Sequence, residues 1–292
     1  MVDTAVVPSA GYGTRLLPIT KALSKAILPL GTIPILADVL WEAYYAGIKK
    51  AIIVTHWKEE TIKGLIEAKA DELRAWLLGK KRMDLIKKMD ELIPGMEIEF
   101  ITQDILNGLG GAILLTEKMI DGPFAVLLSD NIILEPDKGS LLRSMIGLFN
   151  RTKADTILSV AKVSRDKVKK FGVIGYSNTF EYEGSKIYEV SDIIEKPDPD
   201  VAPSNMAVVG RYIFSTEIFD YLRTAPIVGK EIDETQAFKR QAEQGKKVFA
   251  IDIGARKWFD VGSIEGYFKA FVSYVIYNEG KEKVEKWLRE IL

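Results

Sequence analysis

The chain has 292 residues, 47 % of them hydrophobic and 28 % charged, so it can build a sizeable core beneath a solvated surface. Its 40 Lys and Arg nearly balance 41 Asp and Glu, and a net charge of −1 gives no reason to expect nucleic acid or a membrane as a partner. The lack of cysteine excludes disulfides and thiolate chemistry, and the single histidine, His56, excludes multi-histidine metal sites.

The first half of the chain alternates short apolar runs with helical patterns. A helical stripe over 36–43 ends at Gly47, and the highly charged segment 59–95 predicts two helices with a break near Gly79. Continuous apolar strands between helices predict a parallel sheet that is covered on both faces. The predicted strands are TAVVP at 4–8, AIIVTH at 51–56, MEIEFITQ at 96–103 and GPFAVLLSD at 122–130.

The second half has strands in closer succession, separated by turn residues, which predicts a mixed and more antiparallel region. Helices are expected at 217–223 and 234–243 and twice at the C-terminal end. No apolar stretch reaches the length of a membrane span, and we expect a cytoplasmic protein. The predicted strands are DTILSVAKV at 155–163, FGVIGYS at 171–177, KIYEVSDIIEK at 186–196, MAVVGRYIFS at 206–215 and KVFAIDI at 247–253.

The last helical segment carries apolar residues at i, i+3, i+4 and i+7, which form one face. We expect this face to dock on its own domain, with a contact in a homo-oligomer as the second choice. The residues of this face are Val284, Trp287, Leu288 and Ile291.

The stretch SAGYGTRLLPITKALSKAILPLG, residues 9–31, directly follows the first strand. Gly11 and Gly13 form a turn whose backbone N–H groups can face an anion, and Arg15 and Lys25 add two positive charges. A plain turn with a surface arginine would explain a lone G-x-G. The fixed order of cations and prolines in this stretch favours phosphate binding instead.

Two better-known phosphate loops do not fit this stretch. The dinucleotide fingerprint needs a third glycine where Leu16 stands and an acid about 20 residues further on, but no acid occurs between Asp3 and Asp38. A Walker loop would continue with G-K-[ST], which is absent here. The anion held by this loop therefore belongs to another class of nucleotide site.

The pattern G-x-G-T-R-L-x-P-x-T-x-x-x-x-K-x-x-L-P resembles the signature of the sugar-1-phosphate nucleotidyltransferases. Counterparts of that family follow in order along nearly the whole chain: AGIKKAIIVTH, the charged insert, NGLGGAI, EKPDPDVAPSNMAVVGRYIFS and FDVGSIEGYFKAFVSY. The insert and the VAPSN…VVGRY segment are most similar to the bacterial-type UTP–glucose-1-phosphate uridylyltransferases. The resemblance implies a Rossmann-like, glycosyltransferase-A-like α/β fold with three layers and a mixed central sheet.

We interpret the chain as one domain, 1–292, because it shows neither a linker nor a compositional break. Residues 1–135 would form mainly the nucleotide-binding half, 136–262 mainly the sugar-binding lobe, and 263–292 the C-terminal helices.

The reaction implied by the resemblance is attack of glucose 1-phosphate on the α-phosphorus of UTP, giving UDP-glucose and pyrophosphate. The attacking phosphate has a second pKa of about 6, so it needs no general base and suits a chain with one histidine. The resemblance makes Arg15 and Lys25 the catalytic cations. Two alternatives stay open: a dTTP-using or broad-specificity enzyme, and a non-catalytic regulatory subunit that binds nucleotide sugars.

Asp130 and Asp260 are the candidate metal ligands. Asp130 ends the apolar strand FAVLLSD, and Asp260 lies in KWFDVGS. Asp130 could instead be a turn or helix-cap aspartate, and Asp260 could be the N-cap of the helix that begins near Ile264. The resemblance implies that both bind Mg²⁺, which prefers one or two carboxylates together with substrate phosphates and water.

The remaining site residues are also carried over from the resemblance. As alternatives, Gln103 could be an ordinary polar residue at a strand end, and Glu195 with Lys196 could form a surface ion pair. The predicted nucleotide contacts are Ala10, Gly11, Gly13, Thr14, Gln103 and Gly108, and the predicted sugar-phosphate contacts are Gly172, Glu195, Lys196 and Val209.

Two positions and one segment depart from the uridylyltransferase pattern. Ala26 replaces an acid after the lysine, Gly111 replaces a histidine after G-L-G, and Asp233 with Glu234 stands where Gln-Leu is common. The last departure is expected to alter the lip of the sugar site.

Overall fold

The computed structural model describes residues 1–67 and 70–291. Residues 68 and 69 of the predicted charged helices, and residue 292 of the predicted C-terminal helices, lie outside the described residues. The strands are β1 Thr4–Pro8, β2 Pro29–Leu30, β3 Ile33–Pro34, β4 Lys50–Thr55, β5 Glu97–Thr102, β6 Phe124–Leu127, β7 Asn131–Leu134, β8 Thr156–Lys162, β9 Gly172–Tyr182, β10 Ser185–Glu195, β11 Met206–Phe214, β12 Ile227–Val228, β13 Glu231–Ile232, β14 Val248–Asp252 and β15 Lys257–Asp260. The α-helices are α1 Ile35–Tyr45, α2 Glu59–Glu67, α3 Asp71–Gly79, α4 Met83–Asp90, α5 Gly108–Leu115, α6 Ser140–Thr152, α7 Ile218–Arg223, α8 Glu234–Glu243, α9 Ile264–Glu279 and α10 Lys281–Ile291.

Nine strands form the central sheet in the order β5-β4-β1-β6-β11-β8-β14-β10-β9. The pairs β5–β4, β4–β1, β1–β6 and β14–β8 are parallel, whereas β11 runs antiparallel to β6, β8 and β9, and β10 runs antiparallel to β14 and β9. The predicted change from a parallel first half to a mixed second half is confirmed. The central mixed sheet of an α/β fold is confirmed with it.

Alternation along the sheet explains the layers on its two faces. In β1, Val7 packs into a core that includes α1 and α6, whereas its neighbour Val6 packs into a core that includes α5, α7 and α8. Successive side chains of a strand point to opposite faces, so a continuous apolar run supplies both cores. The described residues thus place helices on both faces of the sheet.

The charged segment differs from its prediction. The expected break near Gly79 is present, but the described residues of this segment form three helices where two were expected. Ala70 has a φ of 47°, which no right-handed helix accommodates, and α3 begins after it.

The apolar face of α10 docks only in part. Val284 is 5 % exposed, but Trp287, Leu288 and Ile291 are 38 %, 43 % and 78 % exposed. The prediction that the whole face packs on its own domain is therefore wrong beyond the first helical turn. No helix within 1–67 and 70–291 combines the length and hydropathy needed to cross a membrane.

A two-stranded ladder outside the main sheet was not predicted. Strand β15 pairs antiparallel with β7, and this pairing sets Asp260 opposite Asn131. The backbone N–H of Val261 continues the contact by donating to the carbonyl of Asp130 at 2.8 Å. Two segments that are far apart in sequence thereby meet beside the carboxyl end of β6, where open α/β sheets bind ligands.

Candidate active site

Two cavities open side by side at the carboxyl edge of the parallel strands. Their volumes are about 530 Å³ and about 280 Å³. Both are lined by Arg15, Leu109, Leu128 and Asp130, so groups bound in the two cavities would meet at this cation and this carboxylate.

The predicted substrate residues separate between these cavities. We call the larger one the nucleotide-side cavity and the smaller one the sugar-side cavity. The nucleotide-side cavity is lined by all six predicted nucleotide residues, Ala10, Gly11, Gly13, Thr14, Gln103 and Gly108, and the sugar-side cavity by three of the four predicted sugar residues, Gly172, Glu195 and Lys196.

Val209 lines neither cavity. Its side chain is fully buried in the core, while Val208 and Gly210 line the sugar-side cavity. The register of β11 against β8 shifts between Val208 and Tyr212, and Gly210 has a φ of 75° at this irregularity. Adjacent side chains on a strand face opposite ways, so the side chain that lines the sugar-side cavity is that of Val208 and not that of Val209.

The glycine loop after β1 leads into a short 3₁₀ turn that carries Arg15. Gly13 has a φ of 66°, and a Cβ there would lie 3.0 Å from Cγ2 of Thr20, so this position needs glycine. Thr20 fixes the loop by donating its hydroxyl to the carbonyl of Gly13 at 2.9 Å. Arg15 is exposed and forms no ion pair with any residue that the structure describes, which leaves its guanidinium available to an anion.

Lys25 is paired with Asp130 across the floor of the cleft. Its ammonium lies 2.5 Å from Oδ2 of the aspartate, and the two side chains are 15 % and 23 % exposed. Burial alone would raise the pKa of Asp130, but the positive charge of Lys25 and hydrogen bonds from Lys25 and Asn131 bring the pKa below its ordinary value. Asp130 is thus held as a carboxylate.

Asp260 lies close to Asp130, at the end of the strand β15 that pairs with β7. A Cβ on Gly262 would lie 2.9 Å from Oδ1 of Asp260, 3.3 Å from a guanidinium nitrogen of Arg15 and 3.4 Å from Oδ2 of Asp130. Gly262 also donates its N–H to Asp260 at 2.9 Å. Glycine therefore keeps open a space that two carboxylates and a guanidinium share.

Neither aspartate caps a helix, although Asp130 does lie in the turn between β6 and β7. Ser263, not Asp260, caps α9 by accepting from the N–H of Gly266 at 3.2 Å. Asp130 precedes the strand β7 rather than a helix.

This donor set is compatible with a divalent cation that brings its own phosphate and water ligands. Within 1–67 and 70–291 no group of three or more His, Cys, Asp or Glu is placed to hold a metal ion. Zinc-type cages are excluded for these residues, whereas magnesium needs only one or two carboxylates beside substrate oxygens. Asp130 and Asp260, with the space kept by Gly262, meet that requirement.

Side chains that the sequence analysis missed orient Asp130. Asn131 donates its amide to Oδ1 of Asp130 at 2.9 Å, and the indole N–H of Trp258 donates to the Asn131 oxygen at 2.6 Å. Trp258 also packs edge-on against Phe171, with ring centroids 5.0 Å apart. The β15–β7 ladder thus supplies an orienting chain as well as the second aspartate.

Arg211 is fully buried and holds the segment that carries Asp130. Its guanidinium pairs with Glu42 at 2.7 and 2.8 Å and donates to the carbonyls of Leu128, Gly210 and Asn131 at 3.2, 3.0 and 2.8 Å. The guanidinium therefore binds backbone on both sides of Asp130. Burial opposes ionisation, but the charge of Arg211 holds the pKa of Glu42 below its ordinary value, so the pair stays ionic.

Gln103 lies where β5 ends and is 5 % exposed. Its amide nitrogen donates to Oδ1 of Asn107 at 2.8 Å and to the carbonyl of Gly108 at 3.2 Å, which turns its oxygen away from both partners. A Cβ on Gly111 would lie 1.8 Å from Oδ1 of Asn107. The departure at Gly111 therefore makes room for the Asn107 side chain, whereas the departure at Ala26 is fully buried and lines neither cavity.

The sugar-side cavity is built from side chains at the end of β10 and the start of α8. Lys196 pairs with Glu195 at 2.6 Å, and Thr235 donates to the same carboxylate at 3.4 Å. Lys196 has a φ of 47°, a left-handed conformation that costs a non-glycine residue about 1 kcal/mol or more. Gly172 lies beneath, where a Cβ would come 3.1 Å from Oε2 of Glu195.

Comparison with known proteins agrees with this geometry. Residues 4–275 match the family model described as nucleotidyl transferase. A relative from Haemophilus influenzae named UTP--glucose-1-phosphate uridylyltransferase is 37 % identical over 286 residues, which are 95 % of each chain.

Two solved structures are similar over almost all of both chains. A UTP-bound UGPase from Acinetobacter baumannii is 30 % identical, with a TM-score of 0.89 and all of both chains covered. A UDP-glucose pyrophosphorylase complexed with UDP-glucose is 33 % identical, with a TM-score of 0.82, and the match covers 96 % of this chain and all of that one.

Proposed function

The chain belongs to the nucleotidyl transferase family, and we propose that it transfers the uridylyl group of UTP to glucose 1-phosphate, giving UDP-glucose and pyrophosphate. The observation that carries this proposal is the meeting of the two cavities at Arg15 and Asp130. A transfer between two phosphorylated substrates needs such a shared wall, because the attacking oxygen and the phosphorus must approach each other directly.

The nucleotide-side cavity takes UTP. The oxygen of Gln103 faces away from Asn107 and Gly108, so it is free to accept the N3–H of uracil. The glycine loop supplies backbone N–H groups to the phosphates, and Arg15 stabilises the charge that builds up around the α-phosphorus. Lys25 adds a second positive charge on the floor of the cleft.

The sugar-side cavity takes glucose 1-phosphate. Glu195 accepts hydrogen bonds from sugar hydroxyls, while Lys196 neutralises the sugar phosphate and directs its oxygen toward the junction of the cavities. That oxygen attacks the α-phosphorus, the bond to the β-phosphate oxygen breaks, and pyrophosphate carries away the electron pair. No side chain has to accept a proton in this step.

We propose Mg²⁺ as the cofactor, held by Asp130 and Asp260. When bound, it supplies positive charge to the phosphate oxygens. Arg15 and Lys25 supply positive charge to the phosphate oxygens from the protein. The network of Asn131 and Trp258 keeps Asp130 turned toward the shared space.

A cytoplasmic location and a homo-oligomeric assembly remain predictions. The reaction consumes UTP, which argues for the cytoplasm. The exposed residues Trp287, Leu288 and Ile291 of α10 are compatible with a contact between copies of the chain.

A substrate panel tests the proposal. The purified chain is incubated with each of four nucleoside triphosphates and several sugar 1-phosphates, with Mg²⁺ or with a chelator, and pyrophosphate and nucleotide sugar are quantified. We expect UTP with glucose 1-phosphate to be the best pair and the chelator to stop turnover. Equal turnover with dTTP would instead mean broad nucleotide specificity, and UDP-sugar binding with no pyrophosphate from any pair would mean a regulatory subunit.

A further inference from the structure

The sugar-side cavity contains a second carboxyl group that the mechanism above does not use. Glu234 is the first residue of α8 and lines this cavity together with Glu195, Lys196 and Tyr212. Its neighbour Thr235 donates to Glu195 at 3.4 Å, so the helix start is fixed against the end of β10.

The carboxyl group of Glu234 lies close to its own backbone N–H but does not cap the helix. The helix cap is provided by Asp233, which accepts from the N–H of Gln236 at 3.2 Å. The Glu234 side chain makes no ion pair or side-chain hydrogen bond with another side chain in the described residues. A substrate that fills the cavity must therefore either pair this carboxyl group or take it out of water without a partner, which weakens binding.

Charges of both signs surround this carboxyl group. Burial is the main cause that raises the pKa of Glu234, to about 7, and the negative charges of Glu195, Asp233 and Glu231 raise it further, against a lowering by its own backbone N–H. Lys196, from the end of β10, lies in the same cavity wall, as does Lys170 from the segment before β9. Near neutral pH both the acid and the carboxylate are populated.

We propose that Glu234 selects the sugar by pairing with one ring hydroxyl of the sugar phosphate in this cavity. The inference deepens the proposed function and depends on it. A hydroxyl can pair with either form of the carboxyl group. The ionised form, however, adds a negative charge to a cavity that already holds Glu195 and must admit a phosphate dianion.

The test combines variants of Glu234 with deoxy sugars. Glu234→Leu inserts the residue common in the related uridylyltransferases, Glu234→Gln keeps the shape without ionisation, and Glu243→Gln on the same helix is the matched control. Rates with saturating UTP are measured for glucose 1-phosphate and for its 2-, 3-, 4- and 6-deoxy analogues. Melting temperature reports on folding.

We expect Glu234→Leu to lower kcat/KM for glucose 1-phosphate by about 10- to 100-fold, because a hydrogen bond in a binding site is lost. One deoxy analogue, which lacks the paired hydroxyl, should change less than about threefold. The KM for UTP should stay the same. An equal loss with every sugar would overturn the assignment.

The pH profile gives a second readout. From about pH 6.5 to about pH 8.5 the KM of the original protein for glucose 1-phosphate should rise by about tenfold, since Glu234 ionises in this range while the substrate phosphate is already ionised. Glu234→Gln should abolish this rise. A rise of the same size in Glu234→Gln would contradict the inference.

A failure of the proposed function would be seen separately. In that case no sugar phosphate would be turned over by the original protein. Calorimetric binding of glucose 1-phosphate at about pH 6.5 and about pH 8.5 would then decide the role of Glu234 alone. Weaker binding at the higher pH in the original protein but not in Glu234→Gln supports the role, and unchanged binding in both overturns it.

Discussion

The two cavities of the cleft are built by different means. The nucleotide-side cavity is rich in glycine, since Gly11, Gly13, Gly108 and Gly262 line it together with side chains such as Gln103. The sugar-side cavity is lined by side chains from the start of β9, the end of β10, β11 and α8. A glycine-rich wall tolerates few residue types and leaves a clear glycine pattern in the sequence, whereas a wall of larger side chains can change its selectivity by single substitutions.

The charged side chains of the two cavities also differ. Arg15, which lines both cavities, has no ion-pair partner in the described residues, and the nucleotide side alone adds the cation of Lys25. On the sugar side Lys196 is already paired with Glu195 at 2.6 Å, and Glu234 adds a further acid. The first cavity is therefore prepared for phosphates and the second for hydroxyl groups with a single phosphate. Substitutions on the two sides should have separable kinetic effects.

Asp130 lies at the junction, and its removal should affect both sides most strongly. We expect Asp130→Asn to lower kcat by about 10³-fold or more, because the carboxylate that holds positive charge at the reacting phosphates is lost. The steady-state rate with UTP and glucose 1-phosphate measures this. The matched surface variant Asp121→Asn should keep the original rate, and a turnover of Asp130→Asn near the original would refute the role of the junction.

Lys25 should produce the next largest effect, confined to catalysis. Lys25→Met keeps the length of the stem but removes the charge beside Asp130, and kcat should fall by about 10²- to 10³-fold. The KM for glucose 1-phosphate should change little, because Lys25 does not line the sugar-side cavity. Lys21→Met, an exposed neighbour, is the control. If the KM for glucose 1-phosphate rose while kcat stayed the same, Lys25 would act on the sugar side and the assignment would be wrong.

Substitution of Lys196 should change the binding of the sugar phosphate rather than kcat. Lys196→Met removes one cation of the sugar-side cavity, and we expect the KM for glucose 1-phosphate to rise by about tenfold while the KM for UTP stays constant. Initial rates over a grid of both substrate concentrations separate the two constants. The exposed residue Lys186 in β10 offers Lys186→Met as a control. If both KM values rose together, the two cavities would not act independently.

The sequence predicted the glycine-rich nucleotide side better than the sugar side. Gly11, Gly13 and Arg15 are close in sequence, so a local pattern places them together. The meeting of Asp130 and Asp260 was expected only through the resemblance, because the β15–β7 ladder that brings it about pairs two short runs with no local signal.

Long-range contacts explain the other misses. Val209 was expected in the sugar cavity, but the shifted register of β11 cannot be read from alternation alone. The clamp of Arg211 on Glu42 joins residues 169 positions apart in sequence. A buried arginine gives no sign in the sequence of the carbonyls that it will bind.

The smallest expected effect concerns a departure on the nucleotide side. Gly111→Ala would place a Cβ 1.8 Å from Oδ1 of Asn107, so the Asn107 side chain must rotate and release the amide of Gln103. Loss of one hydrogen bond of about 0.5–1.5 kcal/mol should raise the KM for UTP by about two- to tenfold, because the Gln103 oxygen is then less well oriented toward the base.

Gly122→Ala is the control for the effect of adding a methyl group to a glycine. A Cβ on Gly122 has no atom within 4 Å, so Gly122→Ala should leave both KM values unchanged. A double variant, Gly111→Ala with Asn107→Ala, removes the clash together with its partner and should show no further loss beyond that of Asn107→Ala. Additive losses would mean that Gly111 acts on the nucleotide side by a route other than Asn107.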